Sequence, residues 1–229
     1  MTDDTTTDVS TSDVSTSDDS TSSADPLRAR IAQLESEERL DAVVGAIDPL
    51  ATKANAGALG HALRGEWIGH ALHPALTDFP LGCWLAAGLL DVVGGRRSRP
   101  AATRLLGLGL LAVPATVATG VAEFGTIDER AEKRIGAAHA IGNAGAALMY
   151  VLSWRARRRG HHLRGMVWSL GGGGLSLAAG YLGSHLAFVA GVGSGPREVE
   201  TVTDHDVSDP GVSLLESADT AGAPIDTSP

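Results

Sequence analysis

The chain is expected to be all-α, a bundle of four transmembrane helices with a short amphipathic helix before it and an acidic, disordered tail at each end. Three observations predict this. Four long apolar stretches, rich in Ala, Gly and Leu, each approach the roughly 20 residues a helix needs to cross a bilayer core. The connections between them alternate between Arg-rich and charge-balanced. Before and after them lie segments of low apolar content, Met1 to Asp25 with seven Asp and no basic residue, and Arg197 to Pro229 with eight acidic residues and one Arg.

Composition divides the 229 residues accordingly. Setting the two tails aside, each at −7, leaves the middle of a chain of net charge −9 at +5, so the acidity belongs to the tails. Segments 1–26 and 196–229 bury too little apolar surface to offset the entropy of ordering, and are expected to be disordered. The single Cys83 excludes an intramolecular disulfide, a Cys-rich zinc site and a cysteine-ligated iron–sulfur cluster within the chain. The first residues lack the basic, apolar and small-residue succession of a signal peptide. Cationic residues are nearly all Arg, which with abundant Ala and Gly suggests a prokaryotic source.

Region 27–60 opens with Leu27, Ile31, Leu34, Leu40, Val43 and Val44 spaced as one face of an amphipathic helix lying on a surface or membrane interface. Asp48-Pro49 is expected to end it, and Leu59 to His73, with Trp67 and Ile68, to form a second interfacial element. The membrane domain, 61–195, has spans at about 74–93, 105–122, 137–154 and 166–189. Arg96, Arg97, Arg99 and Arg104 lie between the first two, and Arg155, Arg157, Arg158, Arg159 and Arg164 between the last two. By the positive-inside rule both Arg-rich loops are cytoplasmic, which places both termini outside in a multi-pass protein of a prokaryotic inner membrane. Trp154 and Trp168 fit the interfacial aromatic belt. Those Arg clusters flank spans, so anionic headgroups account for them and nucleic acid is not a predicted partner.

Ionisable groups inside hydrocarbon cost free energy unless paired or facing a cavity, so each one in a span marks a candidate site. His70, Thr77, Trp84 and Asp91 share a stripe if the helix continues through Pro74 and Pro80. His139, Asn143, Ala146 and Tyr150 follow one-face spacing on the third span, as do Gly174, Ala178, Tyr181 and His185 on the fourth. The predicted topology collects His70, His73, Asp78, Glu123, His139, Asn143 and His185 in the outer half, as expected of a haem, metal or proton-relay site. His70 and His73 also fit the headgroup layer. His161 and His162 fall in an Arg-rich loop and read as solvated basic surface, His61 precedes the bundle, and His205 lies in the tail. Gly171 to Gly174 has no preceding strand and no following Lys-Ser/Thr, so it is not a phosphate loop; Gly172, Ser176, Gly180 and Ser184 instead suit close helix approach.

The run LRGEWIGHALHPALTDFPLGCWLAAGLLDVVGG from Leu63 to Gly95, with TGVAEF at 119–124, HAIGN at 139–143 and GYLGSHLAF at 180–188, resembles a bacterial membrane-protein family, domain of unknown function 2231. The resemblance covers about 60–195. It implies a four-helix membrane domain with histidines at His70, His73, His139 and His185 and an acidic residue at Glu123. It also implies relatives fused to a Rieske iron–sulfur domain, a partner module for which this chain has no Cys-x-His pairs. Ala71 replaces the usual Pro of the family's GHPLHP turn, and Asp78 stands where some relatives have His.

Three functional readings follow. In the first, a small redox subunit binds haem b with His139 and His185 as first-choice axial ligands, His70 and His73 as alternative ligands, propionate partners or groups lining a quinone pocket, Asn143 and Tyr181 also at the site, and a redox protein or quinone as partner. In the second, His70, His73, His139, His185, Asp78 and Glu123 hold or transport a transition metal ion. In the third, a non-enzymatic scaffold or partner subunit sits in the lipid bilayer and its histidines only satisfy buried backbone groups or neighbouring helices; a homo-oligomer is compatible with all three. No catalytic nucleophile is evident, and a stand-alone enzyme is not expected.

Overall fold

A computed structural model describes residues 26–193. The two predicted disordered tails lie outside the described residues, except that Pro26 opens the first helix. Every regular element among the described residues is helical: α1 (Pro26–Ser36), a 3-10 turn (Glu38–Leu40), α2 (Asp41–Ala54), α3 (Gly57–Arg64), a second 3-10 turn (Glu66–Ile68), α4 (Leu72–Val93), α5 (Gly95–Phe124), α6 (Arg130–Arg158) and α7 (His162–Phe188).

Three helices, α4, α5 and α6, are long and apolar enough to cross a membrane by length and composition, and only 17%, 22% and 28% of their apolar windows is buried. α7 falls short of that hydropathy, its glycines, serines and His185 diluting the leucines, although it is 27 residues long. Side chains are distributed inside out. Leu85, Leu111, Leu170 and Leu177 are exposed, while Thr119, Ser153 and Arg157 are buried.

The long helices form two hairpins, α4–α5 and α6–α7, each packed more closely within itself than against the other. The expected Arg-rich loops are far shorter than predicted. Gly94 alone separates α4 from α5, with Gly95 at φ 59°, and Gly160 at φ 82° turns α6 into α7. Arg96 to Arg104 therefore belong to α5, and Arg155 to Arg158 to the last turn of α6, where cations complement the helix dipole. Helices extend past the apolar windows because long Arg stems reach the interface while their backbone stays hydrogen-bonded.

α4 does continue through Pro74 and Pro80. Pro74 lies in the first turn, where no helical donor is needed. Pro80 leaves the Leu76 carbonyl without its helical donor, and Thr116 Oγ1 of α5 donates to that carbonyl at 3.3 Å. Nor does Asp48-Pro49 end the amphipathic segment, as expected; the break comes at 37–40, and Pro49 lies inside α2. Val44 and Ala51, either side of it, are both buried, so docking holds the two halves of α2 in line.

α1 to α3 cap the end of the bundle opposite the hairpin turns. Ile31, Val44 and Ala51 join Phe124, Ile127, Ile135, Ala137 and Leu186 in one core cluster. Arg134 grips Asp41 with Nε at 2.8 Å and Nη2 at 2.9 Å, and Lys133 donates to Asp48 at 2.8 Å. The Arg134 guanidinium holds the Asp41 carboxyl down to about 2. Asn55 Nδ2 donates to the Ala122 carbonyl at 2.8 Å, while Arg64 donates to Asn55 Oδ1.

Candidate functional site

The two hairpins are built to one plan. His73 of α4 and His139 of α6 are 66 residues apart, as are Trp84 and Tyr150, and Asp91 and Arg157. Each pair meets. The imidazoles lie edge to face with ring centroids 6.4 Å apart, the aromatic rings stack at 3.9 Å, and Arg157 donates to both Asp91 oxygens at 2.7 and 2.6 Å. The partner helices repeat with an offset of 63. His73 packs on Gly120 and His139 on Gly183, Trp84 on Gly109 and Tyr150 on Gly172; a Cβ at any of the four would meet the facing ring. An approximate two-fold axis therefore runs between α4 and α6, with three equivalent pairs strung along it.

At the capped end the two imidazoles are anchored alike. His73 Nδ1 donates to the Thr116 carbonyl at 3.0 Å, and His139 Nδ1 to the Ala179 carbonyl at 2.7 Å, residues 63 apart on α5 and α7. A carbonyl only accepts, so each Nδ1 carries the hydrogen and each Nε2 keeps a lone pair. That is the usual arrangement of a metal-ligating histidine, whose other ring nitrogen is held by a backbone carbonyl. Thr119 Oγ1 lies 3.3 Å from His73 Nδ1, and Asn143 Nδ2 lies 3.0 Å from His139 Nε2.

Other sequence-selected residues are placed less tightly. His139, Asn143, Ala146 and Tyr150 do share an inward face, with Ala146 and Tyr150 buried. The face expected on α7 is displaced: Tyr181 is 42% exposed, Gly174 and Ala178 are exposed, and the buried stripe is Gly165, Gly172, Ala179 and Leu186. Gly172 serves close approach as expected, whereas a Cβ at Gly180 would meet nothing. His185 is half-buried on α7, and among the described residues its ring makes no hydrogen bond. His70 precedes α4, exposed, its Nδ1 turned to the Gly69 carbonyl. Asp78 is exposed on α4. Glu123 is buried near the cap, and a Cβ at Gly193 would touch its carboxylate. Among the described residues no three His, Cys, Asp or Glu side chains group to hold a metal ion.

Sequence reasoning missed the opposite end of the axis. Arg157, read as loop, is buried in α6, and His162, read as solvated, is buried at the start of α7 with Nε2 3.0 Å from Asp91 Oδ1. Ser153 and Ser169 complete the cluster, their hydroxyls 2.7 Å apart and each accepting from Arg157 at 3.2 Å. The constant offset of 66 from an acidic to a basic residue was the available signal.

Residues 69–196 match the family model of the predicted membrane proteins designated domain of unknown function 2231. The chain belongs to this family. No curated protein and no protein of solved structure is detectably similar to it. The domain of unknown function 2231 spans both hairpins and all three axial pairs, while α1 to α3 precede it.

Proposed function

We propose that this member of the domain of unknown function 2231 family is a four-span electron-transfer subunit of a prokaryotic inner membrane that holds one b-type haem between His73 and His139. The observation that carries the reading is the pair itself: one imidazole from each hairpin, Nδ1 tied to a carbonyl of the partner helix and Nε2 carrying the lone pair. The two ring centres are 6.4 Å apart and the rings lie edge to face, so binding a metal between them would require the rings to turn. Gly120 and Gly183 let the two rings lie directly against α5 and α7. His73 thus replaces His185 as the partner of His139.

Haem would supply one-electron chemistry; the chain's part is to hold the iron, fix both tautomers and exclude water. α7 serves as the fourth span, because its 27 residues suffice and Leu163, Val167, Leu170, Leu177 and Phe188 all face outward. The Arg-rich turns lie cytoplasmic by the positive-inside rule, so the capped end and the histidines face outside, toward a redox protein or quinone. A transition-metal site has less support, since Asp78 is exposed and no third ligand joins the pair among the described residues.

The test is a reduced-minus-oxidised visible spectrum, with iron analysis, of detergent-purified protein expressed with haem precursors supplied. A haem-type difference spectrum with about one iron per chain is expected. A correctly inserted, colourless and iron-free protein overturns the proposal in favour of a scaffold.

A further inference from the structure

Asp78 is an ionisable residue of a span that nothing inside the chain explains. It lies on the outward side of α4, in line with exposed Leu81, Leu85 and Leu89, and its carboxylate has no hydrogen bond or ion pair among the described residues. A carboxylate turned to hydrocarbon is costly, and such groups are normally covered by a partner. α7, which packs beside α4, carries a second uncovered polar group on its outward side: Tyr181 is 42% exposed, and its hydroxyl has no partner among the described residues. The two reach a similar depth. Asp78 follows His73 by five residues, and Tyr181 precedes Gly183, which packs on His139, by two. From the level of the two imidazoles their Cα atoms therefore lie about 7 and about 3 Å inward. Side chains slope toward the N-terminus of their helix, inward on α7 and outward on α4, so hydroxyl and carboxylate close that difference. Glycines repeat the match. Every glycine of α6, and every one of α5 beyond its first residue, backs onto a neighbouring side chain, whereas a Cβ at Gly82 of α4 or Gly174 of α7 would meet nothing. Both are exposed, and each lies nine residues inward, Gly82 from His73 and Gly174 from Gly183. Glycine weakens a helix interior unless a close approach uses it.

We propose that the outward faces of α4 and α7 form the contact between two copies of this chain, α4 of each against α7 of the other, with the Tyr181 hydroxyl of one copy donating to the Asp78 carboxylate of the second and Gly82 facing Gly174. Self-complementarity selects a second copy as the occupant. Donor and acceptor, and glycine and glycine, stand at matching depths on neighbouring helices of one chain, so a two-fold axis along the membrane normal satisfies every pair twice. Both carboxylates are then covered, each by a hydroxyl that can only gain from a charged acceptor in a low-dielectric setting. The contact lies outside the bundle and does not depend on what the two imidazoles hold.

The experiment is energy transfer between donor- and acceptor-labelled full chains in lipid vesicles, followed as the protein is diluted with lipid. The wild type is expected to dimerise. Tyr181→Phe should weaken the dimer by about 25-fold, roughly fivefold for each of the two hydrogen bonds lost. Asp78→Ala should weaken it at least as much, and the double variant no more than Asp78→Ala alone, because both substitutions remove the same bond. Gly174→Leu puts a side chain on the contact at a position where a Cβ touches nothing in its own chain, so it should abolish the dimer and leave the helical monomer intact. A wild type that is monomeric at every dilution, or a dimer indifferent to Tyr181→Phe or to Gly174→Leu, overturns the proposal, whatever the visible spectrum of the protein shows.

Discussion

In the first hairpin His73, Trp84 and Asp91 follow one another along α4; in the second His139, Tyr150 and Arg157 do so along α6, at the same spacing. Both hairpins set glycines behind the first two rings. Beyond those positions their sequences have little in common. What is shared lets rings and helices approach at the axis; what differs is polarity. On a true two-fold axis each residue would face its own copy, Asp against Asp or Arg against Arg. A single chain that repeats one hairpin plan escapes that constraint and places Asp91 opposite Arg157. The same freedom lets Asn143 stand where the first hairpin has Thr77. The difference teaches that equivalent scaffolds within one chain hold inequivalent chemistry.

The largest expected effect comes from breaking the charged pair. Asp91→Ala leaves Arg157 buried without its carboxylate and should cost about 3–5 kcal/mol, read from thermal unfolding in detergent. The double variant Asp91→Leu with Arg157→Leu should recover most of that, since neither charge is then stranded. A single variant as stable as wild type would show that the axis is not closed at this end.

Glycines behind the histidines sharpen the comparison. Alanine at Gly120 brings a Cβ to 2.8 Å from the His73 ring, and alanine at Gly183 brings one equally close to His139. Each should destabilise by about 1–3 kcal/mol through overpacking, and by similar amounts. Clearly unequal losses would mean that the hairpins are not equivalent at this level.

How much of this was legible beforehand depended on the signal each residue carries. Apolar length revealed the long helices, and four-residue spacing revealed the inward face of His139, Asn143, Ala146 and Tyr150, because α6 is helical throughout. The α7 face was misread because a helix of Gly, Ser, Ala and Leu has no polar contrast to show which side packs; Tyr181 drew attention although it faces outward. Pairing of His73 with His139 was hidden since the hairpins share single residues rather than motifs. Hydrophobicity stops short of Arg157 and His162, so the sequence reads them as loop, whereas α6 runs on to Arg158 and α7 begins at His162. The cap was expected on a surface, and its docking depends on ion pairs about 90 residues apart in sequence.

That cap gives the smallest effect and concerns the end of the axis where the histidines lie. The Asp41 carboxyl is lowered from 3.8 to about 2, mainly by its hydrogen bond to Arg134. A lowered carboxyl contributes stability above its unfolded value and loses it as pH falls. Protection of α2 amides from hydrogen exchange, corrected for intrinsic rate, should therefore hold above about pH 4 and decline toward pH 2. Arg134→Ala should reproduce the decline at neutral pH, and protection that is insensitive to both would remove the latch from the account.

The central claim is that one histidine from each hairpin makes the site. The most direct measurement is haem content per chain, by absorbance, in His73→Ala, His139→Ala and His185→Ala expressed and purified side by side. The account predicts that the first two lose haem to a similar extent while inserting normally, and that the third retains it. Loss in His139→Ala and His185→Ala with full retention in His73→Ala would contradict it.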